Sequence, residues 1–276
     1  MRSPMFSILV VSLNPGGKLV ETMRSVAEQT YTDYEVIVKD GGSGDGSLDE
    51  LRSYLKGREL AERVRIMEQP DTGIYEGMNQ AAAAARGEFL YFLNCGDSLV
   101  SGQALEQTAQ EIGRSAERSS SLIFYGDIYD ALRGQVVASN PHMDDFACYR
   151  NVPCHQACLY HHSLFAERGY DPKYRVRADY EHFLWCYFRK DARPAYIPVT
   201  LASYEGGGFS ETPENRKRSA QEHREITALY MGKGQLLKYR LILLATLAPL
   251  RTRMAESPVW SGWYNKGKRL LYRGRG

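Results

Sequence analysis

The sequence predicts an α/β fold built on a mostly parallel sheet flanked by helices, and three observations carry that expectation. Strand-like and helix-like segments alternate as β-α-β-α-β-α-β through the first hundred residues. The strand segments are short continuous apolar runs, which is how parallel strands buried on both faces read. Three successive runs, from the second to the fourth, stop on polar, acid-bearing turns. In an open parallel sheet those turns share the carboxyl edge, where ligands bind. Right-handed crossovers then place the helices on the sheet faces.

The first run, Phe6–Ser12, is β-branched and apolar and is ended by Asn14-Pro15-Gly16-Gly17. Residues 18–28 have helical spacing, with Leu19, Met23 and Val26 on one side. Residues 34–39 form the second run, followed by Asp40-Gly41-Gly42-Ser43-Gly44-Asp45-Gly46-Ser47. A helix is expected over 48–60 and a third strand at Val64–Glu68. Pro70-Asp71-Thr72-Gly73 then opens a helix over 75–86, whose five consecutive alanines have high intrinsic propensity. The fourth run, 89–93, leads into Asn94-Cys95-Gly96-Asp97. Beyond residue 101 the pattern predicts a helix over 102–116 and a strand over 122–125. A hairpin is expected over 128–137 around Arg133-Gly134, then a polar loop and helix within 151–168. Residues 178–189 are helical by spacing, 195–204 are the last strand, and the charged segment 214–225 opens a further helix. Residues 1–100 and 101–232 are expected to be two halves of one domain, with 233–276 as a helical basic tail.

Bulk properties narrow the class. The 276 residues, 43% hydrophobic and 25% charged, suit a soluble globular protein with a sizeable core. The net charge of +2 hides an asymmetry: from Lys233 onward ten basic residues face one acid, Glu256, so the tail carries +9 and residues 1–232 carry −7. Five cysteines are an odd number without the density of a disulfide scaffold, which points to a reducing compartment. Cys154 and Cys158 lack a second pair at zinc-ligand spacing. The first residues lack a signal peptide's basic flank, apolar stretch and cleavage site, so the expected location is the cytoplasm. Residues 241–250 are apolar or small, half of the ~20 needed to span a bilayer. With basic flanks and Trp260, Trp263, Tyr264 and Tyr272 downstream, this tail suits an anionic membrane surface. Nucleic acid, or packing on the rest of the chain, is the competing explanation.

The turns carry the candidate chemistry. Glycines in the Asp40–Ser47 segment permit positive φ and close backbone approach to a ligand. It is not a P-loop, because no Lys-Ser/Thr pair follows, and it lacks the glycine order of a dinucleotide fingerprint. Its two carboxylates would repel phosphate and suit a base or ribose. Asp97 is placed either to cap the following helix or to hold a hard divalent cation and, through it, a diphosphate.

Together the 8–14 strand end, the Asp40–Ser47 turn, the Asp71–Asn79 segment and the run from Gly87 to Asp97 resemble the donor half of an inverting family 2 glycosyltransferase of GT-A fold. Cys154-His155-Gln156 and Arg177-Ala178-Asp179-Tyr180-Glu181 resemble segments of its exopolysaccharide and lipid-linked oligosaccharide transferases. The resemblance implies donor-nucleotide contacts from Ser12, Asn14, Asp40, Ser43, Asp45, Asp71, Asn79 and Asn94. It implies Asp97 as ligand of Mn²⁺ or Mg²⁺, where the family usually has Asp-x-Asp and this chain has Asn94 or Cys95 for the first acid. Asp179 takes the position of the general base, and it is this family position, not the periodicity, that selects it over Glu181; if the segment is helical, Glu181 points elsewhere, since residues two apart do not share a face. His155, Gln156, Glu181, Gly207 and Ser210 are expected near the diphosphate or acceptor, the last two on a glycine-rich flap. The implied partners are a nucleotide-sugar, UDP-linked by preference, a glycan or lipid-linked acceptor, and a membrane surface in place of nucleic acid. A non-catalytic binding relative and a sugar-phosphate nucleotidyltransferase are the rival readings. Against the latter, no Gly-rich loop with trailing Arg/Lys is present to bind a triphosphate.

Overall fold

The computed structural model describes residues 3–115, 122–206 and 212–246 and, singly, Gly267. Strands β1 (Phe6–Ser12), β2 (Tyr34–Asp40), β3 (Val64–Glu68) and β4 (Phe89–Phe92) pair in parallel in the order β3-β2-β1-β4. Their connections are α1 (Lys18–Ala27), α2 (Ser47–Leu55) and α3 (Ile74–Ala84). Strand alternation decides what each helix meets. Phe6, Ile8 and Val10 point toward Leu19, Met23 and Val26 of α1 and Leu51 of α2, while Leu9 and Ile37 point toward Met78, Ala81 and Ala82 of α3. The alanines let α3 lie close on β1 and β2. The helix expected over 48–60 ends at Leu55, because Gly57 takes φ +75°, and a 3₁₀ turn follows at Glu59–Arg63.

The second half extends the same sheet and makes it mixed. After the short β5 (Ser98–Leu99) come α4 (Ala104–Arg114), β6 (Ile123–Asp130) and β7 (Gln135–Val137). Strands β6 and β7 form the expected hairpin, with Ile128 opposite Val137 and Gly134 at φ +62°. Next are α5 (Asp145–Arg150), β8 (Cys158–His161), α6 (His162–Glu167), α7 (Ala178–Lys190) and β9 (Pro194–Tyr204). The order continues β4-β8-β6-β9-β5, with β8 antiparallel to both neighbours and β5 antiparallel to β9. Strand β8 stands where loop and helix were expected. It is only four residues long, and its pairing with β4 and β6 makes it a strand. Because β8 reverses direction twice over, β6 and β9 point the same way as β4, and their carboxyl ends extend the same edge.

Two helices close the described chain. Helix α8 (Pro213–Tyr230) starts with Pro213 in its first turn and Thr212 as N-cap, whose hydroxyl accepts from the Asn215 amide. Helix α9 (Lys233–Ala245) docks through buried Tyr239 onto Phe146 and Tyr149. Leu237, Leu241 and Leu244 on α9 face solvent, each more than half exposed. Among the described residues no helix is long and apolar enough to cross a membrane. The tail beyond Thr246, Gly267 apart, lies outside the described residues.

Candidate active site

A cleft of about 800 Å³ opens at the carboxyl edge, lined among others by Tyr75, Asn94, Asp97, His155, Gln156 and Asp179. Its floor is the turn after β4. Gly96 takes φ +102°, and the Asp97 amide donates to the Asn94 carbonyl at 3.0 Å. Thr22 of α1 holds the turn from behind: its hydroxyl accepts from the Gly96 amide at 2.9 Å and donates to the Asp97 carbonyl at 2.8 Å. A Cβ at Gly96 would meet Glu205 and Lys18 side chains at 3.4 and 3.5 Å, so this turn tolerates only glycine cheaply.

Asp97 does not cap a helix, since α4 begins seven residues later with Gln103 at its N-cap. Its carboxylate is 6% exposed and faces the cleft. It accepts from Gln156 Nε2 at 2.8 Å and from the Glu205 amide at 3.2 Å. Burial outweighs these bonds and raises its pKa. A charge pair stands at the mouth, where Lys18 Nζ lies 2.6 Å from Glu205 Oε2, both about half exposed.

Asp179 comes from the first turn of α7 and is about a quarter exposed. Its Oδ1 accepts from the Tyr180 amide at 2.9 Å and the Tyr75 hydroxyl at 3.0 Å. Its Oδ2 lies 3.4 Å from His155 Nδ1. Burial alone would raise the carboxyl, but His155, the Tyr180 amide and Tyr75 together hold it below the usual range. On its other side His155 Nε2 lies 2.9 Å from Asn94 Nδ2. An amide nitrogen can only donate, so this contact makes Nε2 the acceptor and leaves the Nδ1–H for Asp179.

The Cys154-His155-Gln156 segment therefore joins the two carboxylates. The 3₁₀ turn at His155–Ala157 sends His155 toward Asp179 and Gln156 toward Asp97. Gln156 is locked in turn: its Oε1 accepts from Cys154 Sγ at 2.6 Å and its carbonyl from Tyr91 at 3.0 Å. Burial pushes the Cys154 thiol up to about 12, so it stays neutral. Cys154 is a thiol donor here, and no zinc-like cluster of three His, Cys, Asp or Glu exists among the described residues.

The nucleotide-side candidates on the turns after β1, β2 and β3 are held by one another and by Lys39. The register sets Ser12 beside Asp40, and the Ser12 hydroxyl donates to the Asp40 carboxylate at 3.0 Å. Asp40 also accepts from the amides of Gly42 and Ser43 and from the Ser43 hydroxyl. It is fully buried, yet these bonds overcome desolvation and lower its pKa. Asn14, Ser43 and Asp45 stitch the loops after β1 and β2 together. The Asn14 amide donates to Ser43 Oγ, the Gly44 amide to Asn14 Oδ1 and the Gly16 amide to Asp45 Oδ2. Asp71 pairs with Lys39, which has no exposed surface. Gly77 makes room for this pair: a Cβ there would stand 2.8 Å from Val11 and 3.2 Å from Asp71.

Of the expected site residues described, Asn94, Asp97, His155, Gln156 and Asp179 line the cleft; Ser12, Asn14, Asp40, Ser43, Asp45 and Asp71 lie outside its lining, and Asn79 and Glu181 are engaged elsewhere. Asn79 does not line the cleft; it clamps the backbone of Tyr170, donating to its carbonyl and accepting from its amide, both at 2.8 Å. Glu181 is 2% exposed and pairs with Arg168 at 2.7 Å and with the Tyr230 hydroxyl, on the face of α7 turned from Asp179. Two residues of helix rotate a side chain by about 200°, which explains the separation. Gly207 and Ser210 lie outside the described residues. Sequence reasoning did not single out Lys18, Tyr75, Glu205 or Arg177, which also line the cleft. Tyr75 sits within the Asp71–Asn79 segment already singled out, whereas Lys18 and Glu205 carry no local signature.

The mixed sheet thus sets acid-bearing turns on one edge, with a second carboxylate across the cleft. Residues 7–170 match the family model for glycosyl transferase family 2, and the chain belongs to that family. A PGL/p-HBAD biosynthesis glycosyltransferase of Mycobacterium tuberculosis is 36% identical over 214 residues, which is 77% of this chain and 81% of that protein. An uncharacterized glycosyltransferase of the same species is 32% identical over 233 residues, covering 83% of this chain and 81% of the relative. Among solved structures, S. aureus TarS 1-349 in complex with UDP superposes with TM-score 0.61 at 19% identity, over 82% of this chain. The match spans 64% of the TarS chain. The mannosyltransferase PcManGT from Pyrobaculum calidifontis, in complex with GDP-Man and Mn2+, superposes with TM-score 0.64 at 17% identity, over 99% of this chain and 83% of that one. The fold is thus GT-A-like and the chain is a glycosyltransferase.

Proposed function

We propose that the protein is an inverting transferase that moves a sugar from a nucleotide-diphosphate donor, UDP-linked by preference, to a hydroxyl of a glycan or lipid-linked acceptor. The observation that carries this reading is the placement of Asp97 and Asp179 in one cleft, joined through Gln156 and His155. The family supports transfer, and the name of the mycobacterial relatives, PGL/p-HBAD biosynthesis glycosyltransferase, supports a role in biosynthesis of a glycosylated product. Residues 1–100 then form the donor half and 101–232 the acceptor half.

Asp179 acts as general base. It is ionised at neutral pH, and its Oδ2 accepts the acceptor hydroxyl's proton as that oxygen bonds to the anomeric carbon. The bond from the anomeric carbon to the diphosphate oxygen breaks on the opposite face, the electron pair leaves with the nucleotide diphosphate, and configuration inverts. His155 and Tyr75 hold the carboxylate in line, and Asn94 holds His155. Lys18 offers its ammonium to the departing diphosphate, exchanging Glu205 for a phosphate oxygen.

A divalent ion fits this site in one manner. Asp97 is one buried hard oxygen ligand, and Mg²⁺ or Mn²⁺ at such sites takes one or two carboxylates with substrate phosphates completing the set. A fully protein-made cage does not fit, since no three-residue cluster gathers among the described residues. When bound with donor, the ion neutralises charge growing on the diphosphate. The exposed Leu237, Leu241 and Leu244 of α9 and the excess of basic residues in 233–276 support association with an anionic membrane surface on its cytoplasmic side.

The test is a donor screen: UDP- and GDP-sugars with Mn²⁺ or Mg²⁺, reading nucleotide diphosphate release. Metal-dependent release with at least one donor is expected. Absence of release with every donor contradicts catalysis, and pyrophosphate from a sugar phosphate and an NTP would assign nucleotidyl transfer.

A further inference from the structure

Glu222 lies on α8, outside the cleft lining and outside every motif read from the sequence. It is 6% exposed. Its two oxygens accept three consecutive backbone amides: Arg175 at 3.0 Å on Oε1, Val176 at 3.0 Å and Arg177 at 2.8 Å on Oε2. Those residues form the lead into α7, so they end one residue before Ala178 and two before Asp179. Helix α8 grips the same lead a second time, where Arg177 Nε donates to Ser219 Oγ at 2.7 Å and to its carbonyl at 3.1 Å. From the opposite side Tyr75 of α3 donates to the Val176 carbonyl at 2.8 Å, and the same hydroxyl lies 3.0 Å from Asp179 Oδ1.

We propose that Glu222 is a positioning residue for Asp179, setting the backbone from which the base is presented. The inference rests on Asp179 being the base. The chemistry of the acceptor set favours this role. Three convergent N–H groups need at least three lone pairs on one rigid group, which a carboxylate has and an amide side chain lacks. Glutamine can keep two of these amides on its one oxygen, but its NH2 group then faces the third N–H, donor against donor, and pushes the lead away. A shift of that lead moves Asp179 relative to the Tyr180 amide, Tyr75 and His155 together. Its titratable neighbours are His155, Tyr75, Tyr170, Cys154, Cys158 and Tyr160. Of these, His155 and Tyr75 lower the carboxyl, so the displaced base titrates higher.

The test compares the full-length wild type with Glu222→Gln, Glu222→Asp and Asp179→Asn, reading nucleotide diphosphate release, its pH profile and thermal melting. In folded Glu222→Gln, kcat falls by about tenfold or more, because small displacements at a reacting pair cost that much. Donor KM stays within about twofold, since ground-state donor contacts are untouched. The acid limb of kcat/KM moves to higher pH. Glu222→Asp, one methylene short, shows the same shifts to a smaller extent and carries the test if the glutamine variant does not fold. A lowered melting temperature with wild-type kcat and an unmoved acid limb overturns the inference and leaves the base assignment intact. An active Asp179→Asn overturns the base assignment instead.

Discussion

His182 makes the fold acid-sensitive in a way that one substitution removes. It lies on α7 with no exposed surface, its ring packed on Phe165 at 4.3 Å between centroids and near Tyr160, Tyr170 and Trp185. Neither ring nitrogen has a hydrogen-bond partner of sound geometry among the described residues. Burial, reinforced by nearby Arg168, pushes its pKa down to about 3, from 6.5 in an open chain. Above 6.5 the ring is neutral in both states and contributes nothing to pH dependence. Below it the unfolded chain binds a proton that the folded chain refuses, so stability drops by about 1.4 kcal/mol per pH unit until the folded ring itself titrates. At about pH 4.5 the loss is ~2.7 kcal/mol, which corresponds to roughly 5–10 °C of melting temperature for a chain of this size. Melting of wild type and His182→Leu at pH 7.5 and 4.5 isolates the term, because the carboxylates titrate alike in both. The fall on acidification is expected to be smaller in the variant by about that amount. Equal falls in the two proteins refute the reasoning.

Three further outcomes follow from the cleft and the tail. Asp97→Ala weakens metal-dependent donor binding by tenfold or more, on the order of one charge-assisted contact, in isothermal titration with and without Mn²⁺; unchanged metal dependence removes Asp97 as ligand. Tyr75→Phe deletes a donor to Asp179, costing about 1.5–3 kcal/mol in that contact, and lowers kcat while raising the acid limb, because the carboxyl is held down partly by this hydroxyl. An acid limb equal to wild type would show that Tyr75 does not tune the base. Glutamates at Leu237, Leu241 and Leu244 together abolish co-sedimentation with anionic vesicles without lowering the melting temperature; retained binding assigns the membrane contact elsewhere.

What the sequence disclosed depended on how local each cause was. Phe6–Ser12 and Val64–Glu68 read correctly to the residue because each is a β-forming run whose ends are marked by turn residues or by neighbouring elements. The acid-bearing turns were equally legible, since a parallel order forces them onto one edge. Strand β8 was not: the four residues Cys158–His161 owe their state to partners some seventy residues before and thirty-five before them in the chain. Asp97, His155, Gln156 and Asp179 were found through motif order, and the structure gathers them around one cleft. Asn79 and Glu181 belong to the same motifs, but their partners Tyr170 and Arg168 lie elsewhere in the chain, so no motif reveals that they face away. Lys18 and Glu205, 187 residues apart, look like ordinary surface charges until the fold brings them together. Glu222 is the same case, one glutamate in a charged helix whose role exists only through three distant amides.

Transfer by this cleft depends most on Asp179, and one comparison tests that dependence. Wild type and Asp179→Asn are loaded with the donor that the screen selects, donor affinity is measured in both, and nucleotide diphosphate release is followed with acceptor present. Donor affinity is expected to be nearly equal in the two proteins and release abolished in the variant. Release by Asp179→Asn at a rate near wild type would contradict that dependence.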